Sequence, residues 1–209
     1  MHIALVGDSV FDNAKYTGSQ PDVAGHLRKL LPDARVTLYA VDGTTTAEVG
    51  KQIDRLKPDI THVLLSLGGN DALENADLLD APVRSTAQTW DLVAARVDAF
   101  EAAYRWALES LLEKVAPGKP RVTVCTIYGG SFPEPQATRI RTALAVWNDA
   151  IVRAALAFDV GILDLRAVCT EPSDFTNVIE PSAVGGAKVA AAVDRTVRAT
   201  PRRSVPFGC

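Results

Sequence analysis

The sequence predicts an α/β protein, a three-layer α/β/α sandwich on a five-stranded parallel sheet. Two observations predict it. Five short runs, at residues 2–7, 34–40, 61–68, 120–127 and 161–165, are almost continuously apolar rather than alternating. That is the pattern of strands covered on both faces. Between these runs, and after the last, apolar residues recur every three or four positions, as in amphipathic helices. A strand-helix alternation repeated five times implies right-handed crossovers in one sheet. With 209 residues, the chain can bury about 70% of its unfolded surface in one domain. The domain is expected to span residues 1–209, without linker or internal repeat.

Each element has its own reason. The first strand, "HIALVG", runs straight into Gly7, Asp8 and Ser9. A helix over 22–31 carries Val23, Leu27, Leu30 and Leu31, and one over 45–56 carries Val49, Ile53 and Leu56. A longer stripe holds Trp90, Val93, Val97, Phe100, Tyr104, Ala107, Leu111 and Val115. A second holds Ile140, Leu144, Trp147, Ile151, Ala155 and Phe158. Both stripes are expected to be core. A last helix follows Pro181-Ser182 and runs to about Val197. The polar, Pro-containing segment from Asp71 to about Thr86 is expected to loop over the sheet end and shape a pocket.

Charge and composition remove several function classes. A net charge of −3, with 47% hydrophobic and 22% charged residues, lacks the basic stripe of a nucleic-acid binder. The densest basic stretch, "RRSV" in the C-terminal "TPRRSVPFGC", is too short to change that. No apolar run approaches the roughly 20 residues needed to span a bilayer. The N-terminus enters a strand without a basic region or cleavage site. Cys125, Cys169 and Cys209 lack metal-ligand spacing and read as free thiols of a reducing compartment. A cytoplasmic protein is expected, with no metal, no cofactor, no nucleic-acid partner and no membrane partner. Composition says nothing of oligomeric state.

The informative residues fall at strand ends, where open α/β sheets place ligands. The first strand ends in "GDS" (7–9), the second in "AVDGTTT" with Gly43 at its turn, the third in "LGGND" (67–71). The last helix is preceded by "NVIEPSAVGG" (177–186). A serine at such a turn exposes its hydroxyl and its own backbone N–H. Gly43 offers a second close backbone N–H, and the Asn70 amide a third donor. Three fixed donors around one oxygen make an oxyanion hole.

In order and spacing these residues resemble the SGNH, or GDSL-type, hydrolases. The resemblance implies a flavodoxin-like SGNH hydrolase fold, with Ser9 as nucleophile and Gly43 and Asn70 as oxyanion donors. Asp8 and Asp71 belong to the same motifs and are placed with the binding residues, where they are expected to hold the turns by hydrogen bonding. The family's fourth block carries an aspartate three residues before a histidine. Here Asn177 and Glu180 stand in those places. His2 and His62 open strands, at the edge opposite Ser9, and His26 lies mid-helix. None of the three is placed to act as base.

Glu180 is therefore the candidate base, with Asn177 donating a hydrogen bond to orient it. A carboxylate is about two pKa units less basic than imidazole. A helix N-terminus would lower its pKa further, and burial would raise it. Glu171, Asp174 and Asp42 are further carboxylates near the same edge. The expected activity is that of a serine esterase or acyl hydrolase acting on a small ester. The alternatives are a degenerate enzyme that binds a small ligand without turnover, and an unrelated flavodoxin-like module binding a small anion.

Overall fold

The computed structural model describes residues 1–199. The tail "TPRRSVPFGC", with Cys209, lies outside the described residues. Five parallel strands form one sheet: β1 (His2–Gly7), β2 (Arg35–Leu38), β3 (His62–Ser66), β4 (Arg121–Cys125) and β5 (Gly161–Leu163). Their order is β2-β1-β3-β4-β5. Ile3 pairs with both Val36 and His62, and Leu65 with Val124. The chain winds one way to β2 and then crosses back to β3. The reversal falls between β1 and β3, the crevice where such sheets bind ligands.

The apolar runs are continuous because both faces are covered. Ala4, Val6, Val63, Leu65, Val122 and Val124 face one hydrophobic cluster; Ile3, Leu5, Leu64 and Cys125 face another. The second cluster is closed by α1 (Val23–Leu30) and α6 (Ala183–Arg198), through Leu27, Val189 and Val193. The first is closed by α4 (Thr86–Val115) and α5 (Gln136–Ala157), through Phe100, Tyr104, Leu108, Leu111, Trp147 and Ile151.

Length decides what the two long helices do beyond the core. The 30 residues of α4 measure about 45 Å, whereas a five-residue strand measures about 17 Å. Both α4 and α5 begin at the carboxyl edge of the sheet, so their first turns overhang it. The long stripes are thus core only in their middle and distal parts. Trp90 is 57% exposed and Ile140 and Leu144 are half-buried, and all three line a cavity. This corrects their expected place in the core.

Two further expectations change. The pattern over 45–56 gives only a short helix, α2 (Gly50–Ile53), preceded by turns. The residues before it serve the site instead, as described below. The 71–86 segment is not a plain loop: it contains the end of α3 (Gly69–Glu74) and a 3₁₀ turn over Ala76–Asp80. Among the described residues, no helix is long and apolar enough to cross a membrane. Cys125 and Cys169 are buried free thiols, and burial pushes both above the usual thiol range, Cys169 to about 12.

Candidate active site

Ser9 sits in a turn beyond β1, half-buried and on the wall of a cavity of about 610 Å³. It caps no helix: the N-cap of α1 is Asp22, whose carboxylate accepts from the Gly25 N–H. The sharp exit from β1 depends on Gly7, at φ +123°, where a Cβ would lie 1.6 Å from the Ser66 carbonyl oxygen. No side chain fits there, so Ser9 is carried across the end of β3.

Gly43 and Asn70 reach the same edge from β2 and β3. Gly43, at φ +86°, turns the chain in the left-handed region that favours glycine. Asn70 Nδ2 donates to the Thr44 carbonyl at 3.0 Å. That uses one of its two N–H groups and leaves one for a ligand. Among the described residues, neither the Ser9 nor the Gly43 backbone N–H donates to the protein. The donor set expected of an oxyanion hole is therefore uncommitted. Asn70 and Ser9 line the cavity, whereas Gly43 stands outside its wall.

The aspartates of the two motifs are acceptors and hold the turns. Asp71 accepts from the Thr46 N–H at 3.1 Å and from its hydroxyl, tying the loop after β2 to α3. It does not line the cavity. Asp8 accepts from the Ser66 hydroxyl at 2.8 Å and from the Val10 N–H. Gln52, missed in the sequence, completes the frame. Its Nε2 donates to the Gly7 carbonyl and the Thr44 hydroxyl, and its Oε1 accepts from the Gly7 N–H. One buried amide thereby fixes the serine turn to the Gly43 turn. No motif signals it, because its partners are 45 and 8 residues away.

The loop before α6 brings Glu180 to the cavity wall beside Ser9. Tyr128 donates to the Ile179 carbonyl at 2.7 Å, and Asn13 Nδ2 to the Pro181 carbonyl. Asn177 works differently from expectation. Its Oδ1 accepts from the Ile179 and Glu180 backbone N–H groups, at 2.9 and 2.8 Å. It shapes the backbone turn and donates nothing to the Glu180 carboxylate. The three histidines lie elsewhere: His2 bonds Thr37 and Asp59, His62 bonds Thr61, and His26 is in α1. Asp174 is tied to Lys188, and Glu171 is exposed. Among the described residues no group of three or more His, Cys, Asp or Glu could hold a metal ion.

Electrostatics decide the state of the two buried carboxyls. Burial pushes Glu180 above its ordinary range; the Asp42 charge pushes the same way, while the Ser9 and Tyr16 hydroxyls and Lys15 oppose it. Burial therefore outweighs the opposing influences. Glu180 Oε2 is buried with no hydrogen-bond partner. The Ser9 hydroxyl lies near enough to the carboxylate to oppose that rise. Burial carries Asp8 up to about 7, with Glu180's charge adding to the rise.

Asp8 yields a stability prediction. Its folded pKa is raised, so its contribution is fully present below about pH 4 and lost as pH rises through about 7. Asp8→Asn keeps both acceptor bonds and carries no charge. At pH 8 it is expected to exceed the parent in stability, by on the order of 4 kcal/mol. Urea midpoints measured from pH 4 to 8 should converge at the acid end. Parallel curves would mean that Asp8 does not titrate in this window.

Comparison with known proteins agrees with this geometry. The chain belongs to the GDSL-like lipase/acylhydrolase family, whose model matches residues 5–188. Its fold is that of solved SGNH-type hydrolases. An acetyl xylan esterase, AlAXEase, superposes with TM-score 0.69 at 13% identity, over 94% of this chain and 100% of that one. A phospholipase A1 from Streptomyces albidoflavus NA297 gives 0.67 at 18% identity, over 92% and 97%. TesA gives 0.66 at 19%, over 95% and 98%. No match to a curated protein sequence was found. Family membership removes the reading of an unrelated flavodoxin-like module.

Proposed function

We propose that the chain is a serine ester hydrolase acting on small esters, with Ser9 as nucleophile and Glu180 as base. One observation carries this reading. Glu180, raised in basicity by burial and with Oε2 free, stands beside Ser9 on the wall of the cavity. Ser9 Oγ attacks the ester carbonyl carbon while its proton passes to Glu180. The oxyanion is held by the Ser9 and Gly43 N–H groups and the free Asn70 N–H. Collapse breaks the ester bond, and Glu180 returns the proton to the departing alkoxide. Water then attacks the acyl-enzyme carbon and gives its proton to Glu180, and Ser9 leaves as the hydroxyl.

The cavity supports an apolar substituent on the ester. Leu73, Leu79, Trp90, Val93, Phe132 and Leu144 line it beyond Ser9. The esterase and phospholipase named above show that this fold accommodates ester cleavage in other chains. Activated phenyl esters should react fastest, because a phenolate departs with little help from an acid. Among them, butyrate and octanoate are expected to exceed acetate in kcat/KM. Trp90→Ala should flatten that ordering while leaving acetate hydrolysis nearly unchanged. A preference for acetate in the parent would place the apolar group elsewhere.

The absence of any histidine at Ser9 favours a second reading, a binding protein that retains the pocket without turnover. It predicts ligand binding with no acyl-enzyme formed.

A further inference from the structure

Near Glu180, and outside the lining of the cavity, lies a polar cluster that the family motifs do not include. Tyr16 sits in a short 3₁₀ turn after the serine turn. Its hydroxyl donates to Asp42 Oδ2 at 2.9 Å. Lys15 pairs with the same carboxylate oxygen, and its ammonium lies 5.0 Å from the centre of the Tyr16 ring. Asp42 is itself anchored, its N–H donating to Asp12 Oδ2 at 2.9 Å.

Thr176 joins this cluster to the base. Its N–H donates to the Glu180 carbonyl at 2.9 Å, and its hydroxyl donates to the Tyr16 carbonyl at 2.6 Å. Thr176 thus ties the Tyr16 backbone to the Glu180 backbone, and the Tyr16 hydroxyl, which donates to Asp42, lies near enough to the Glu180 carboxyl to favour its anion. It has one proton to donate.

We propose that Tyr16 is the positioning residue for Glu180, its hydroxyl rotating toward Glu180 when that group is ionised and toward Asp42 when it is protonated. No proton leaves Tyr16; only the direction of its O–H changes. Lys15 compensates Asp42 whenever the hydroxyl turns away. The arrangement fills the place of the missing Asp-His pair, in which a second residue orients the base. Asn177 does not take this place: its Oδ1 accepts from the backbone of its own turn, and its amide makes no bond to the Glu180 carboxylate. The inference rests on the reading of Glu180 as the base.

The charged and titratable groups around Glu180 are Asp8 from the serine turn, Asp42 from the loop after β2, Lys15 and Tyr16 from the 3₁₀ turn, and Tyr128 beyond β4. They give opposite expectations for two conservative variants. Tyr16→Phe removes a hydroxyl that stabilises the anion, so Glu180 should titrate at higher pH. Asp42→Asn removes a repelling charge and frees the phenol for Glu180, so Glu180 should titrate at lower pH. Each shift is expected to be roughly one unit.

The test measures the Glu180 side-chain carboxyl by ¹³C NMR titration in the parent, Tyr16→Phe and Asp42→Asn, alongside the acid limb of kcat/KM. Circular dichroism verifies that each variant is folded; Tyr16→Leu replaces Tyr16→Phe, and Asp42→Ser replaces Asp42→Asn, where either is not. Shifts of opposite sign, seen by both methods, support the positioning role. Titration unmoved in Tyr16→Phe overturns it. If Glu180→Gln still abolishes most hydrolysis in that case, the dyad stands without Tyr16. If the parent hydrolyses no ester, the enzymatic reading fails, and the NMR shifts alone decide the place of Tyr16.

Discussion

Replacing Ser9 by Ala is expected to reduce ester hydrolysis to background, and Glu180→Gln to lower kcat/KM about 10²- to 10⁴-fold. In the proposed mechanism the first removes the oxygen that forms the acyl-enzyme. The second preserves size and a carbonyl oxygen but removes the proposed proton acceptor. The two losses should not add, because nucleophile and base act in one step. The pH profile carries the same information. Burial raises the Glu180 pKa, so activity should rise with pH as that carboxyl ionises, above the usual carboxylate range. Glu180→Gln should erase this limb. A surviving limb with full turnover would mean that another group takes the proton.

Asn70→Ala is the second large effect. In the proposed mechanism its free N–H holds an oxygen that carries full charge only in the transition state, so kcat should fall about 10²- to 10³-fold. Stability should change far less, by about 1 kcal/mol for the bond to Thr44. The loop after β2 remains tied down by Asp71 and Gln52. Kinetics and the urea midpoint, measured on one preparation, separate the two effects. An unchanged kcat would reduce Asn70 to a turn residue.

Much of this arrangement was legible in the residues. β1 is apolar at Ile3, Ala4, Leu5 and Val6 because alternate residues enter different cores, and all four are fully buried. Ser9, Gly43 and Asn70 stand at strand ends, a fixed place in this topology, and the structure keeps them at one edge. Glu180 came into view only through the resemblance, as the residue in the place of the family's histidine.

What escaped the sequence depends on length and distance. Trp90 continues the helical period of Val93 and Val97, so periodicity assigns it to the core. Only the mismatch between a 30-residue helix and short strands shows that it overhangs the edge. The turns before α2 read as helix from Val49, Ile53 and Leu56. Thr44 and Thr46 are instead bonded to Gln52 and Asp71. Asn177 looked like a donor to Glu180, yet an amide three residues upstream is also well placed to accept the N–H groups of its own turn, and does so. Tyr16 and Asp42 are 26 residues apart, and no local pattern announces their meeting.

The most direct test of the Ser9–Glu180 pair is the rate at which a fluorophosphonate probe labels the protein, followed by peptide mass spectrometry from pH 4 to 8. One adduct is expected, on Ser9, forming faster as pH rises through the Glu180 ionisation and slowed at least 100-fold in Glu180→Gln. An adduct on another residue, or equally fast labelling of Ser9 in Glu180→Gln, would contradict it.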